Sequence, residues 1–295
     1  MSKRFLFSCE STVDMPYSYL LERGVSVIDY TYTINGKEYN DNMGRDEKSL
    51  EEFYKLIDEG FLPSTSQINE YRYKEYFESL LKQSNCIFHL AFGTGVTPSY
   101  INAVNAANEL MMENADVEII VIDTKCASSG YGMFVDYVLD LRDEGKTIDE
   151  ILNWIEPNLT RVHHEFFSTD FRMFKRSGRV SGLKATIGSV LGICPIMHFN
   201  KIGKMISYDS TRGKKAAINH IVNEMKIHAS NGIEYNGKCY ISHSNYIEGA
   251  NLLKDKIEEE FKNISEVKVF EIGNIIASHT GPGTVALFYM GDERE

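Results

Sequence analysis

The sequence predicts an α/β chain of two domains, the first built on a mostly parallel sheet and the second of α+β type. Three observations lead there. In the first half short apolar strands alternate with amphipathic helices, the signature of right-handed βαβ units. The segment VEIIVID (117–123) is a near-continuous apolar strand, as in the middle of a parallel sheet. Beyond about residue 162 the pattern changes, and Lys201-Ile202-Gly203 makes a short turn into KMISYDST (204–211), a hairpin that calls for antiparallel pairing. The 295 residues therefore divide into 1–162 and 163–295, on a change of pattern rather than a visible linker.

Element by element, KRFLFS (3–8) reads as a strand, followed by a polar turn and a helix starting near Pro16. VSVIDYTYTI (25–34) is rich in β-branched and aromatic residues and runs into Asn35-Gly36, a strong two-residue hairpin signal, before KEYND (37–41). DEKSLEEFYKLIDEG (46–60) is a helix with an acidic first turn and Gly60 as its stop, FLPSTSQ (61–67) a loop, and NEYRYKEYFESLLKQ (69–83) a helix. CIFHLAF (86–92) is a strand and GTGVTP (93–98) a glycine loop. The helix after it, from Ser99, buries Tyr100, Ala103, Val104, Ala107, Leu110 and Met111 at helical spacing. Helices follow near 128–162. After the hairpin come helix, strand, helix, strand and a final hairpin-like segment, GNIIASHTGPGTVALFYMG (273–291).

A chain 43% hydrophobic and 25% charged can bury a large core unaided and is not disordered. Its longest apolar runs are strand-sized and interrupted, so none spans a bilayer, and the opening MSKRFLFSCE is too briefly apolar for a secretory signal. The net charge of −11 argues against a general nucleic-acid binder, because neutralising phosphates needs a basic face. Two basic islands interrupt that acidity: Arg172, Lys175, Arg176 and Arg179 with Lys184 just beyond, and Arg212, Lys214 and Lys215. Cys9, Cys86, Cys126, Cys194 and Cys239 are widely spaced and read as buried, reduced thiols of a cytoplasmic protein, not as a disulfide or zinc framework.

Two apparent motifs fail on context. Gly145-Lys146-Thr147 looks like the end of a phosphate-binding loop, but Asp140 stands where that motif needs glycine and the segment reads as a helix terminus. In Gly93-Thr94-Gly95-Val96-Thr97-Pro98 the proline occupies the third glycine position of a dinucleotide fingerprint. With no common hydrolase or metal signature, neither metal nor cofactor is expected.

The glycine loop still aims backbone N–H groups and a helix dipole at whatever anion lies there, and Thr94, Thr97 and Ser99 add hydroxyls. Ser64-Thr65-Ser66-Gln67 and Ser11-Thr12 are further hydroxyl clusters at strand ends. Three such loops can converge on one anion, and the same residues equally suit ordinary helix N-caps. His279, in His279-Thr280-Gly281-Pro282-Gly283 between two apolar strands, can donate to a carboxylate or phosphate in either charge state. The other seven histidines lack a metal-like grouping with it and read as structural.

These residues carry a resemblance that is nearly full length. Glu10-Ser11-Thr12-Val13-Asp14-Met15-Pro16, Pro63-Ser64-Thr65-Ser66-Gln67, Gly93-Thr94-Gly95 and Val121-Ile122-Asp123 are followed by Lys175-Arg176-Ser177-Gly178-Arg179-Val180-Ser181. Leu191-Gly192-Ile193-Cys194-Pro195-Ile196, Thr211-Arg212-Gly213-Lys214-Lys215-Ala216 and His279-Thr280-Gly281-Pro282-Gly283 complete the series. In this order they resemble the DegV family of fatty-acid-binding proteins, which includes the binding subunits of bacterial fatty acid kinase. The chain departs from the family pattern at Glu10 (usually Asp), at Ser177 (often Gly) and in the glycine loop, which reads GTGVTPSY.

The resemblance implies a long-chain fatty acid between the two domains, its carboxylate held by Thr65, Thr94 and His279, with Ser66, Gly95 and Ser11 alongside. It implies a kinase catalytic subunit as partner, docked through Arg179 and Arg212, and acyl-phosphate as product. Burying an acyl chain yields about 0.8 kcal/mol per methylene, so the tail sets affinity and the head group sets orientation. The lack of Arg or Lys in the three loops suggests a carboxylate held by neutral donors that stays nucleophilic. Two alternatives stand beside this reading: a stand-alone hydrolase or transferase with Ser11 or His279 catalytic, and a lipid sensor without a kinase. The acidity leaves room for transient membrane contact through a local basic patch.

Overall fold

The computed structural model describes residues 5–182 and 192–295; Lys3 and Arg4 of the first expected strand, Lys184 and Leu191 lie outside them. Strands β1 (Phe5–Glu10), β2 (Ser26–Ile28), β6 (Cys86–Ala91) and β7 (Glu118–Asp123) form a wholly parallel sheet in the order β2-β1-β6-β7. Helices α1 (Tyr17–Glu22), α3 (Glu70–Leu81) and α4 (Ser99–Glu113) lie between its strands in the chain. Because β2 lies to one side of β1 and β6 to the other, the carboxyl ends of β1 and β6 flank a topological switch point, where parallel α/β sheets place their ligands. VEIIVID is β7 and stands at the sheet edge, not its middle; only Ile119 in it is fully buried. Its apolar run covers the flank of the sheet, which periodicity cannot distinguish from a central position.

Asn35-Gly36 does make the expected hairpin, both residues at positive φ, joining β3 (Thr31–Ile34) to β4 (Lys37–Asn40). FLPSTSQ is not only a loop. Ser64–Ser66 is a strand, β5, paired antiparallel to β3 with Thr65 opposite Tyr32. Helix α2 (Ser49–Asp58) separates the two in sequence.

Helices α5 (Ser128–Asp143) and α6 (Ile148–Asn158) lead to a second, mixed sheet. It is built from β8 (Val162–Ser168), β9 (Val180–Ser181), β10 (Ile193–Phe199), β11 (Met205–Arg212), β12 (Cys239–His243), β13 (Val267–Glu271) and β14 (Thr284–Met290), in the order β13-β12-β14-β8-β10-β11-β9. The 200–204 turn joins β10 and β11 antiparallel, as its residues require. Thr147 caps α6 through a reciprocal pair with Glu150, so Gly145-Lys146-Thr147 is a helix start and nothing more. The final segment departs from expectation. GNIIASHT is not a strand but helix α10 (Asn274–Thr280), closed by Gly281 at φ 67°, and only β14 follows.

Every residue of β8 is buried because both faces of this sheet are covered. Phe166 joins the apolar cluster shared with the first half (Phe7, Phe88, Phe134, Phe288), while Phe167 joins a second cluster with Ile221 of α8 (Lys214–His228) and Leu253 of α9 (Ile247–Glu260). All five cysteines are buried free thiols, and none of the described helices is long and apolar enough to cross a membrane.

Candidate functional site

A cavity of about 290 Å3 opens at the switch point, between the parallel sheet and the second sheet. Its apolar wall is written with two periods. On β8 and β14 alternate side chains face it, His164 and Phe166 from one strand and Thr284, Ala286 and Phe288 from the other. From Ile272 through α10 the helical stripe Ile272, Ile275, Ile276 and His279 faces it. Phe92, Phe174, Phe199 and Met205 close the remainder. A saturated chain finds only carbon and sulfur over most of this surface.

The polar end is built where α10 packs against β3, β5 and helix α7 (Arg172–Ser177). There Thr65 Oγ1 lies 2.7 Å from His279 Nε2, and the Arg179 guanidinium lies 3.1 Å from His279 Nδ1. Arginine only donates, so Nδ1 is the accepting nitrogen and the ring proton sits on Nε2, pointing at Thr65. The Thr65 hydroxyl then accepts from histidine and keeps its own proton to donate into the cavity. Burial, with Arg179 and Arg176 beside it, pushes the His279 imidazole down to about 4, so the ring is neutral at pH 7. Burial also lowers Arg179. Ser66 and Gln67 line the cavity beside Thr65 in the chain, Thr97 and Thr280 add hydroxyls to the lining, and the Arg176 guanidinium ties the loop down through the Pro63 carbonyl at 2.9 Å.

Thr65, Ser66 and His279 are thus brought together, and three other expected residues are not. The Thr94 hydroxyl donates to Asp123 at 2.6 Å and its N–H to the same carboxylate at 3.1 Å, so this side chain is spent locking the glycine loop to the end of β7. The loop reaches the cavity through Val96, Thr97 and Pro98 instead. Gly95 packs on the backbone of the 200–204 turn, where a Cβ would stand 2.1 Å from the Gly203 carbonyl oxygen. Ser11 accepts from the Tyr30 N–H at 3.1 Å and lines a different cavity. The three hydroxyl loops therefore do not converge on one anion.

Arg179, expected as a docking residue, turns inward to His279, so a cation does stand at the polar end of the cavity, one residue removed from Thr65. Arg212 ends β11 and is exposed. Glu10, a departure from the family pattern, is wholly buried and accepts from Tyr73 (2.5 Å), the Phe92 N–H (3.0 Å) and Tyr30 (3.3 Å). It braces two residues of the cavity wall.

The sequence places His164 among the structural histidines, yet it lines the cavity. Its Nε2 accepts from the Ala127 N–H at 3.1 Å and its Nδ1 donates to the Val162 carbonyl at 2.9 Å, while the ring stacks on Phe199. Both nitrogens are occupied, so the ring acts as wall and not as donor. The two-residue alternation of VHHEFFS was the available signal for it.

A family model described as "Uncharacterised protein, DegV family" matches residues 9–292. A DegV domain-containing protein of Clostridium perfringens is 33% identical over 99% of each chain. Among solved structures, a DegV-family protein of Thermus thermophilus described as binding fatty acid superposes with a TM-score of 0.86 at 25% identity, covering 98% of this chain and 99% of its own. A DegV-family structure from Ruminococcus gnavus, described with vaccenic acid, superposes at 0.85 with 20% identity, over 96% of this chain and 99% of that one. By the match along its length, and by a relative one-third identical from end to end, this chain belongs to the DegV family.

Proposed function

We propose that this protein binds one long-chain fatty acid, with the acyl chain in the apolar cavity and the carboxylate at Thr65, flanked by Ser66 and backed by His279. What carries the reading is the Arg179–His279–Thr65 relay at one end of an otherwise apolar cavity. A carboxylate left without donors among such side chains would cost several kcal/mol, so a donor poised at the polar end is what the ligand requires. Fatty acids in structures of other DegV proteins support it.

The relay also weighs against a hydrolase. The histidine of a catalytic triad donates from its far nitrogen to an acceptor, most often a carboxylate, that orients the ring and stabilises its charged form. Here a guanidinium occupies that nitrogen and depresses it, and Ser11 lines another cavity. We propose further that the protein is cytoplasmic, that the division into domains falls at residue 162, and that the bound carboxylate is presented to a kinase catalytic subunit for phosphorylation to acyl-phosphate. Exposed Arg212 serves as a docking residue. Arg179, through His279, leaves the carboxylate polarised but not paired, a state suited to accepting a phosphoryl group.

Solvent extraction and mass spectrometry of the purified protein should release a long-chain fatty acid in near-equimolar amount. Recovery of none, together with no uptake of added fatty acid, would sink the binding proposal. With a reconstituted kinase, Arg212→Glu should lower acyl-phosphate formation without changing fatty-acid uptake.

A further inference from the structure

A second cavity, of about 250 Å3, lies where the turn after β1 meets residues 269–274. It is linked to the first through one hydrogen bond: Ser128 lines the acyl cavity and its hydroxyl donates at 2.5 Å to Asp14, which lines the second. The polar groups here are unusually short of partners. Among the described residues Asp14 accepts from Ser128 on one oxygen and from the Gly273 N–H, at 3.0 Å, on the other. Asp41, 1% exposed, has the Ser11 hydroxyl and the Asn42 N–H beside its carboxylate, but neither reaches hydrogen-bond geometry with it. Asn274, wholly buried and lining the cavity, has no partner on its carboxamide oxygen or nitrogen.

The carboxylates converge on one spot. The position a Cβ on Gly273 would take is 2.8 Å from Asp14 Oδ1 and 3.2 and 3.6 Å from the two oxygens of Asp41. Glycine is required there because any side chain would enter this cradle. Arg45, the guanidinium of this neighbourhood, bonds to Asp29 and to the main-chain carbonyl of Asp41, not to its carboxylate. Among the described residues no Lys, Arg or His forms an ion pair with Asp14 or Asp41. Two carboxylates buried side by side do not both stay ionised without a counter-charge.

We propose that the Gly273 end of this cavity is a site for one hard divalent cation, of the Mg2+ or Ca2+ class, held by Asp14 and the carboxamide oxygen of Asn274, which line it, and by Asp41, whose carboxylate meets that of Asp14 at Gly273. The donor chemistry selects the class: all three are oxygens, with no thiol or imidazole among them, and two carboxylates match a double positive charge. No group of three His, Cys, Asp or Glu among the described residues is arranged to hold a metal. The ion would therefore complete its shell with water in the cavity, as Mg2+ commonly does with one or two carboxylates. The site is independent of the lipid reading, since none of its three ligands lines the acyl cavity.

The full-length protein, stripped with EDTA and exchanged into chelator-free buffer, is titrated calorimetrically with MgCl2 and separately with CaCl2, and its thermal midpoint is followed. One ion per chain and a saturable rise in midpoint are expected with at least one of the two salts. Asp41→Asn should abolish the binding, and Asn274→Ala, which removes one of three protein ligands, should weaken it by at least about tenfold, which is what loss of a mere supporting partner costs. Asp41→Asn should itself melt no lower than wild type in EDTA, since it removes an uncompensated charge. If that variant does not fold, Asn274→Ala decides. No saturable binding of either ion at millimolar concentration, stabilisation by potassium alone, or binding unchanged in Asn274→Ala would each overturn the proposal.

Discussion

Thr65 Oγ1 and His279 Nε2 stand 2.7 Å apart although 214 residues separate them in the chain. The pair exists because α10 docks on β5, and its polarity is set from behind by Arg179. Thr65 is thereby left as a donor with a single free proton. Thr65→Ala should weaken fatty-acid binding by about tenfold to a hundredfold, the worth of one hydrogen bond to a charged group. Thr65→Ser, which keeps the hydroxyl, should retain most of the affinity. Displacement of a fluorescent fatty acid measures both, and equal affinities for the alanine and wild-type proteins would remove Thr65 from the head-group site.

Thr94 makes the opposite prediction. Its side chain serves Asp123 and does not line the cavity, so Thr94→Ala should cost about 1 kcal/mol of stability and leave fatty-acid affinity nearly unchanged. Urea denaturation and the same displacement assay check the two halves. A large loss of affinity would return Thr94 to the site.

His279 links folding to pH. Buried, and beside Arg179 and Arg176, it titrates at about 4 in the folded protein, whereas an unfolded histidine takes up its proton near about 6.5. Between those values the unfolded chain binds the extra proton. The His279 contribution to stability is therefore intact above about pH 6.5 and declines as pH falls towards 4. His163, also pushed down to about 4 by burial, adds in the same direction. Asp41, pushed up to about 7 by burial, acts oppositely and stabilises as pH falls. The His279 part is isolated by comparison with His279→Gln. The variant should gain stability relative to wild type as denaturation is repeated from pH 7 down to about pH 4.5. A pH-independent difference between the two would contradict the assignment.

Ala286 lies between Thr284 and Phe288 on the cavity-facing side of β14. Ala286→Phe should fill space otherwise available to the acyl chain. The expected outcome is loss of extractable lipid with the far-ultraviolet circular dichroism unchanged. Undiminished lipid in a folded variant would place the tail elsewhere.

Much of this architecture was legible in the chain, because strands, helices and turns write their local chemistry into short segments. The parallel βαβ alternation, the Asn35-Gly36 hairpin, the antiparallel turn at 200–204 and the burial of five cysteines all follow from neighbours in sequence. Thr65, Ser66 and His279 were also legible as candidates, through hydroxyl and imidazole types in loops at element ends. Long-range choices were not. NIIASHT has β-branched residues that suit a strand, and docking of Ile272, Ile275 and Ile276 over the cavity selects the helix instead. That substitution of helix for strand hid the cavity-lining stripe.

Orientation was likewise decided only in three dimensions. A threonine hydroxyl is the same group at 65 and at 94. At 65 it meets a histidine whose other nitrogen is already occupied, and at 94 it meets the Asp123 carboxylate, which accepts its hydrogen bond. Arg179 sits in a basic island that reads as surface, and half-burial against α10 turns it into the group that sets the histidine tautomer. Sequence determined which donors, aromatic walls and turn residues were available. Packing of α10 and the second sheet onto the switch point decided which of them share one site, because hydrogen-bond direction and burial depend on partners 29 to 214 residues away in the chain.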